Sequence, residues 1–113
     1  MGHVHFCVAE IPSTVEFWEG LGFELMAELR AQAAFLATGG YHHHVGANTW
    51  ESHGAGPAGE GYATLRHAAI VVPDVEERDR VAGRVADAGQ EPEARGDGVL
   101  VRDPSQNALL LTT

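Results

Sequence analysis

Apolar and polar positions alternate along this chain in short runs, and the runs fall into an order that occurs twice. Residues 2–8 place Val4, Phe6 and Val8 on one side of a strand and His3, His5 and Cys7 on the other, because successive strand side chains point to opposite faces. A helix follows, in which Phe17, Trp18 and Leu21 recur at helical spacing. Ser13 and Glu16 have the spacing of a capping box at its start, and Gly20 and Gly22 predict its end. Three strand-like runs come next, at 23–30, 33–38 and 41–49, with Gly39-Gly40 predicting a tight hairpin turn.

The same order returns further on. Residues 66–72 read as a first strand in which His67 stands where His3 stood. Asp74 and Glu77 repeat the cap pattern, Val81 and Val85 share a helical face, and Gly89 closes the helix. Strand-like runs at 91–95, 99–102 and 108–113 are separated by Gly96-Asp97-Gly98 and by Asp103-Pro104. Residues 51–61, rich in Gly and containing Pro57, read as a flexible linker. The pattern predicts an α+β domain over 1–113, written as βαβββ twice: module one 1–50, linker 51–61, module two 62–113.

Composition narrows the partners. The 113 residues are 44% hydrophobic, enough for one domain with a proper core. Seven basic against sixteen acidic side chains give a formal charge of -9, which disfavours nucleic acid and anionic membranes and leaves a small neutral or aromatic ligand as the expected partner. The single cysteine permits no internal disulfide, and the start of the chain lacks the charged and apolar runs of a signal peptide, so a cytoplasmic protein is expected. No run approaches the roughly 20 apolar residues of a membrane span.

The histidines carry the chemistry. Within the run Tyr41-His42-His43-His44, strand parity puts His42 and His44 on one face, and His3, His5 and His67 lie on other predicted strands. Neutral imidazole is the commonest protein ligand for borderline metal ions, so rings converging from three strands suggest a metal centre. His43 has the opposite parity and is expected on the other sheet face or the surface, and His53 falls in the linker with no chemical role. Cys7 reads as a small hydrophobic side chain, buried or lining the ligand site, rather than a metal ligand. Asn48 and Trp50 are expected at the cleft mouth, Trp50 offering a face to an aromatic ligand.

Through Gly2-His3-Val4-His5, Phe17-Trp18-Glu19-Gly20-Leu21-Gly22-Phe23-Glu24 and Val101-Arg102-Asp103-Pro104, the whole chain resembles the vicinal oxygen chelate superfamily of glyoxalases, extradiol dioxygenases and bleomycin-resistance proteins. Residues 37–46 resemble more narrowly the catechol-2,3-dioxygenase-like branch, where such a segment sits in the C-terminal half of longer, two-domain proteins. The resemblance implies two modules forming a curved eight-stranded mixed sheet with a cleft. It also implies a divalent ion (Fe, Zn, Mn or Ni), with ligand positions that match His3, His44 and His67. The fourth position, usually Glu, aligns with Leu110, which cannot bind a metal but can line the substrate site.

With the carboxylate absent, glyoxalase-type proton transfer and extradiol cleavage both lack a group they ordinarily use. Three imidazoles with an open fourth position still make a reasonable catalytic set. Two functions follow from the resemblance. One is a metal-dependent dioxygenase or lyase acting on a small oxygen-rich or catechol-like molecule, with His5 or His42 as acid/base and Cys7, Asn48, Trp50 and Leu110 against the substrate. The other is metal-free sequestration of an aromatic compound or antibiotic in the same cleft. Single-domain members of the superfamily are commonly homodimers, so a homodimer is expected here.

Overall fold

A computed structural model describes residues 3–113 as two compact units that divide between Pro57 and Ala58, inside the predicted linker. Unit one runs β1 (Val4–Cys7), α1 (Ile11–Leu21), β2 (Glu24–Leu29), β3 (Ala33–Ala37) and β4 (Val45–Asn48). Unit two runs β5 (Ala68–Val71), α2 (Val75–Asp87), β6 (Glu93–Arg95), β7 (Gly98–Arg102) and β8 (Ala108–Thr112). The eight predicted strands are all present, hydrogen-bonded as two sheets of four in the orders β1-β4-β3-β2 and β5-β8-β7-β6. Each unit is a βαβββ module with one parallel pairing, β1 on β4 or β5 on β8, and antiparallel pairings elsewhere.

Period two decides what each sheet buries. In unit one Phe6 pairs with Ala47 and Leu36 with Val45, and all four side chains are buried, as is Val8. The helix side of this sheet holds an aromatic cluster, with Trp18 between Phe6, Phe17 and Phe23 at ring-centroid distances of 6.0, 5.8 and 4.9 Å. The edge-on pairs with Phe17 and Phe23 each add about 0.5–1.5 kcal/mol beyond burial. The Trp18 indole Nε1 is buried with no hydrogen-bond partner among the described residues. In unit two Val101, Leu109 and Leu111 are fully buried on the helix side, where Val81 and Val85 of α2 are buried too.

The helix starts differ from each other. Asp74 caps α2 as predicted, its carboxylate accepting from the Glu77 N–H at 2.8 Å. For α1 the Ser13–Glu16 capping box does not form, because the helix begins earlier, at Ile11, with Glu10 as N-cap and no side-chain cap bond. Pro12 explains the shift: its fixed φ and missing N–H suit the first turn, where that donor has no intrahelical acceptor. Gly22 ends the helix in the left-handed region at φ 106°, as its position predicts, while Gly20 is helical.

The turn between β7 and β8 is built on one buried carboxylate. Asp103 accepts from the Asn107 backbone N–H at 2.7 Å and from Asn107 Nδ2 at 2.9 Å, and its own carbonyl accepts from the Gln106 N–H at 2.9 Å. Burial raises the Asp103 pKa above its ordinary value, and the bonds from Asn107 and the Ser105 backbone oppose that rise. Replacing Asp103 by Ala leaves buried donors unmatched, so unfolding free energy should fall by about 1–3 kcal/mol in denaturant titration. Because the folded pKa is raised, the group's linked stabilisation is complete below its unfolded value of 3.8 and is lost as pH rises through the folded value. The stability of the native protein relative to Asp103→Asn should therefore increase as pH falls toward 4; a flat difference from pH 7 to 4 contradicts the assignment.

Candidate functional site

The candidate site lies on the face of the unit-one sheet that turns away from α1. Register carries it there: His5 pairs with Gly46 and Cys7 with Asn48, so these positions share the face opposite Phe6 and Ala47. Phe35 of β3 pairs with Gly46 and joins the same face. The His5 ring lies directly over Gly46, where a Cβ would fall 2.5 Å from Nδ1. Only glycine leaves room for that ring.

A short chain of hydrogen bonds fixes His5. The Trp50 backbone N–H donates to Asn48 Oδ1 at 3.2 Å, and Asn48 Nδ2 lies 2.7 Å from His5 Nε2. Asn48 is buried and His5 is exposed. Aromatic rings frame the pair: Trp50 stacks on His5 at 6.3 Å between centroids, and Phe35 meets its edge at 6.2 Å. Trp50 remains more than half exposed.

Imidazoles crowd the edge of this face, though not in the predicted pairing. His43 lies 4.6 Å from His3 between ring centroids, 5.1 Å from Phe35 and 5.0 Å from His42. Sequence parity put His43 on the opposite side, and the structure corrects this. β4 begins only at Val45, so the irregular stretch from Thr38 to His44 does not carry strand alternation backward. Gly39 and Gly40, at φ 65° and 77°, turn the chain into that stretch. His44 instead accepts from the Thr38 N–H through Nδ1 at 3.2 Å, with its ring stacked on Tyr41 at 4.6 Å and edge-on to Phe23 at 6.5 Å.

Electrostatics favour neutral rings here. The His43 pKa is lowered by loss of water contact and then by the neighbouring imidazoles of His3, His42, His5 and His44. That of His5, though the residue is exposed, is lowered first by partial loss of water around the ring and second by His3. Neutral imidazoles can each donate one hydrogen bond and accept another, or bind a metal.

The remaining predicted positions are placed as follows. His42 is exposed, with its ring 4.2 Å from Tyr41. Cys7 is exposed rather than buried, since it takes the outer parity of β1. In unit two, His67 immediately precedes β5 and is exposed. Leu110 of β8 is half-buried, pairs with Ala69 and Leu100, and packs against Gly98, where a Cβ would meet its Cδ1 at 2.8 Å. His53 is exposed.

As a donor set for a divalent ion, the unit-one face supplies His3 and His43 side by side. A catalytic zinc ordinarily takes three protein ligands. Among the described residues, no three His, Cys, Asp or Glu side chains gather closely enough to hold a metal ion. The imidazoles as placed on this face do not complete such a set.

Comparison with known proteins places the chain in a family. The profile of the Glyoxalase/Bleomycin resistance protein/Dioxygenase superfamily matches residues 1–111. A catechol-2,3-dioxygenase of Bacillus subtilis (strain 168) is 34% identical over 112 residues, which are 97% of this chain and 39% of that protein. The chain thus spans well under half the length of that relative. A glyoxalase family protein from Enterococcus faecalis has a similar fold, with TM-score 0.74 and 25% identity, covering 100% of this chain and 96% of that one. A fosfomycin resistance protein from Mesorhizobium loti shares the fold at TM-score 0.74 and 17% identity, covering 100% and 90%. With a family match over nearly its whole length and the βαβββ module written twice, this chain belongs to the glyoxalase/bleomycin resistance protein/dioxygenase superfamily.

Proposed function

We propose that this chain binds a small aromatic, oxygen-bearing molecule of catechol type on the imidazole-bearing face of unit one. One observation carries the reading: a buried amide, Asn48, holds His5 at 2.7 Å on a face that also bears Phe35, Trp50 and further imidazoles. Such a surface offers flat apolar contact to a ring and a small number of fixed polar atoms to its oxygens, which is how small-molecule sites combine affinity with orientation. Members of the superfamily bind small-molecule substrates. The matched catechol-2,3-dioxygenase supports the ligand class, and the matched fosfomycin resistance protein supports recognition of an antibiotic as an alternative.

A second reading, a metal-dependent dioxygenase or lyase, is favoured by the adjacency of His3 and His43 at 4.6 Å. Superfamily members usually use divalent metals. Two imidazoles form the start of a ligand set, to which the family resemblance adds Leu110 in place of the usual Glu.

Calorimetric titration with catechol separates the two. Under the first reading, metal-free protein binds catechol, and Trp50→Ala weakens binding about tenfold, the loss of one aromatic contact worth about 1.4 kcal/mol. Equal affinity in the native protein and Trp50→Ala, or no heat at millimolar catechol, contradicts it. Under the second, protein purified without an affinity tag carries a stoichiometric divalent metal by elemental analysis, and His3→Ala releases it. Catechol binding that survives complete metal removal contradicts the second reading.

A further inference from the structure

We infer that Asn48 is a positioning residue that locks His5 as the neutral Nδ1–H tautomer, so that His5 serves this face as a hydrogen-bond donor and not as a base. Two contacts carry the inference. The Trp50 backbone N–H is a donor with a fixed direction, and it lies 3.2 Å from one terminal atom of the Asn48 side chain, which must therefore be the oxygen. The other terminal atom is then the amide nitrogen, which can only donate, and it lies 2.7 Å from His5 Nε2. A bond that short requires Nε2 to accept, so the ring proton resides on Nδ1. The reversed amide would set its NH2 against the Trp50 N–H, and a doubly protonated His5 would set Nε2–H against the Asn48 NH2. Both arrangements oppose donor to donor on a side chain that is buried and has little water to relieve it.

Two further features keep the lock in place. Gly46 leaves room for the His5 ring over β4, so the ring sits where Asn48 can reach Nε2. The Asn48 backbone carbonyl is itself held twice: it accepts from the Val8 N–H at 2.9 Å and from Ser52 Oγ at 3.3 Å. The side-chain pair is thus anchored to the parallel β1–β4 ladder rather than to a loose loop.

The consequence concerns ligand chemistry and rests on the proposed function. With Nε2 occupied, the available nitrogen is Nδ1, and it carries a proton. It matches an acceptor oxygen, such as a phenolate, a carbonyl or an ether oxygen. It does not match a hydroxyl that must give its proton away. This role replaces the acid/base role expected of His5, since the atom that would take a proton is already bonded to Asn48.

Long-range 1H–15N correlation spectra of the ligand-free protein test the lock without reference to any ligand. The expected result is a pyrrole-type nitrogen at Nδ1 and a pyridine-type nitrogen at Nε2 of His5. In Asn48→Asp the new carboxylate accepts from Nε2–H, and the two signals should exchange types. In Gly46→Ala the ring is displaced and the pure Nδ1–H signature should be lost, with Asn48 intact. A native protein whose Nε2 is pyrrole-type, or a signature unchanged in both variants, overturns the inference. Binding then reads the consequence: 1,2-dimethoxybenzene, which has only acceptor oxygens, should bind the native protein and lose at least tenfold in Asn48→Asp. Discrimination in the opposite sense overturns the donor role. An Nδ1–H signature in a protein that binds neither probe supports the lock and contradicts only the proposed function.

Discussion

The register of β1 on β4 is the constraint from which the rest of unit one follows. Pairing Phe6 with Ala47 sends the apolar half of each strand toward α1, and the same register sets His5 over Gly46 and Cys7 beside Asn48. A slip of one residue would turn Phe6 away from Trp18 and bury His5 in the aromatic core instead. The cost of that exchange, an unpaired imidazole inside and a large aromatic outside, makes the register a property of the hydrophobic core. The polar site is therefore positioned by packing on the far side of the sheet. Gly46 and Asn48 exploit it, one by omission of a side chain and the other by a hydrogen bond.

Much of the fold was legible because strand alternation and helix punctuation are local signals. Every predicted strand appears within a few residues of its expected limits, and Asp74 and Gly22 act as their positions suggest. The exceptions have local causes too. Pro12 starts α1 before the Ser13 pattern, and the turn at Gly39-Gly40 leaves residues 41–44 outside the strand, so parity assigned His43 and His44 the wrong neighbours. Cys7 looked like a core thiol by residue type, whereas its parity places it with His3 and His5.

The site was less legible than the fold, because its key contact joins residues 5 and 48, which are 43 positions apart. Asn48 and Trp50 were both readable as ligand-facing from their place at the end of a strand. That Asn48 would address His5, and that the Trp50 backbone would orient the amide, depends on sheet register and on a bend after β4, neither of which is a pattern of residue types. The importance of Gly46 is similarly hidden: in sequence it is one glycine among 14, and only the overlying ring gives it a reason.

The face that results is rich in aromatic and imidazole rings, inside a chain of strongly acidic composition. Its fixed polar element is the Asn48–His5 pair, held by the Trp50 backbone. The most direct test of this account is a map of intermolecular nuclear Overhauser effects between catechol ring protons and protein side chains. Contacts to His5, Phe35 and Trp50 together are the predicted result. A catechol that shows its contacts to unit-two side chains and none to these three would contradict it.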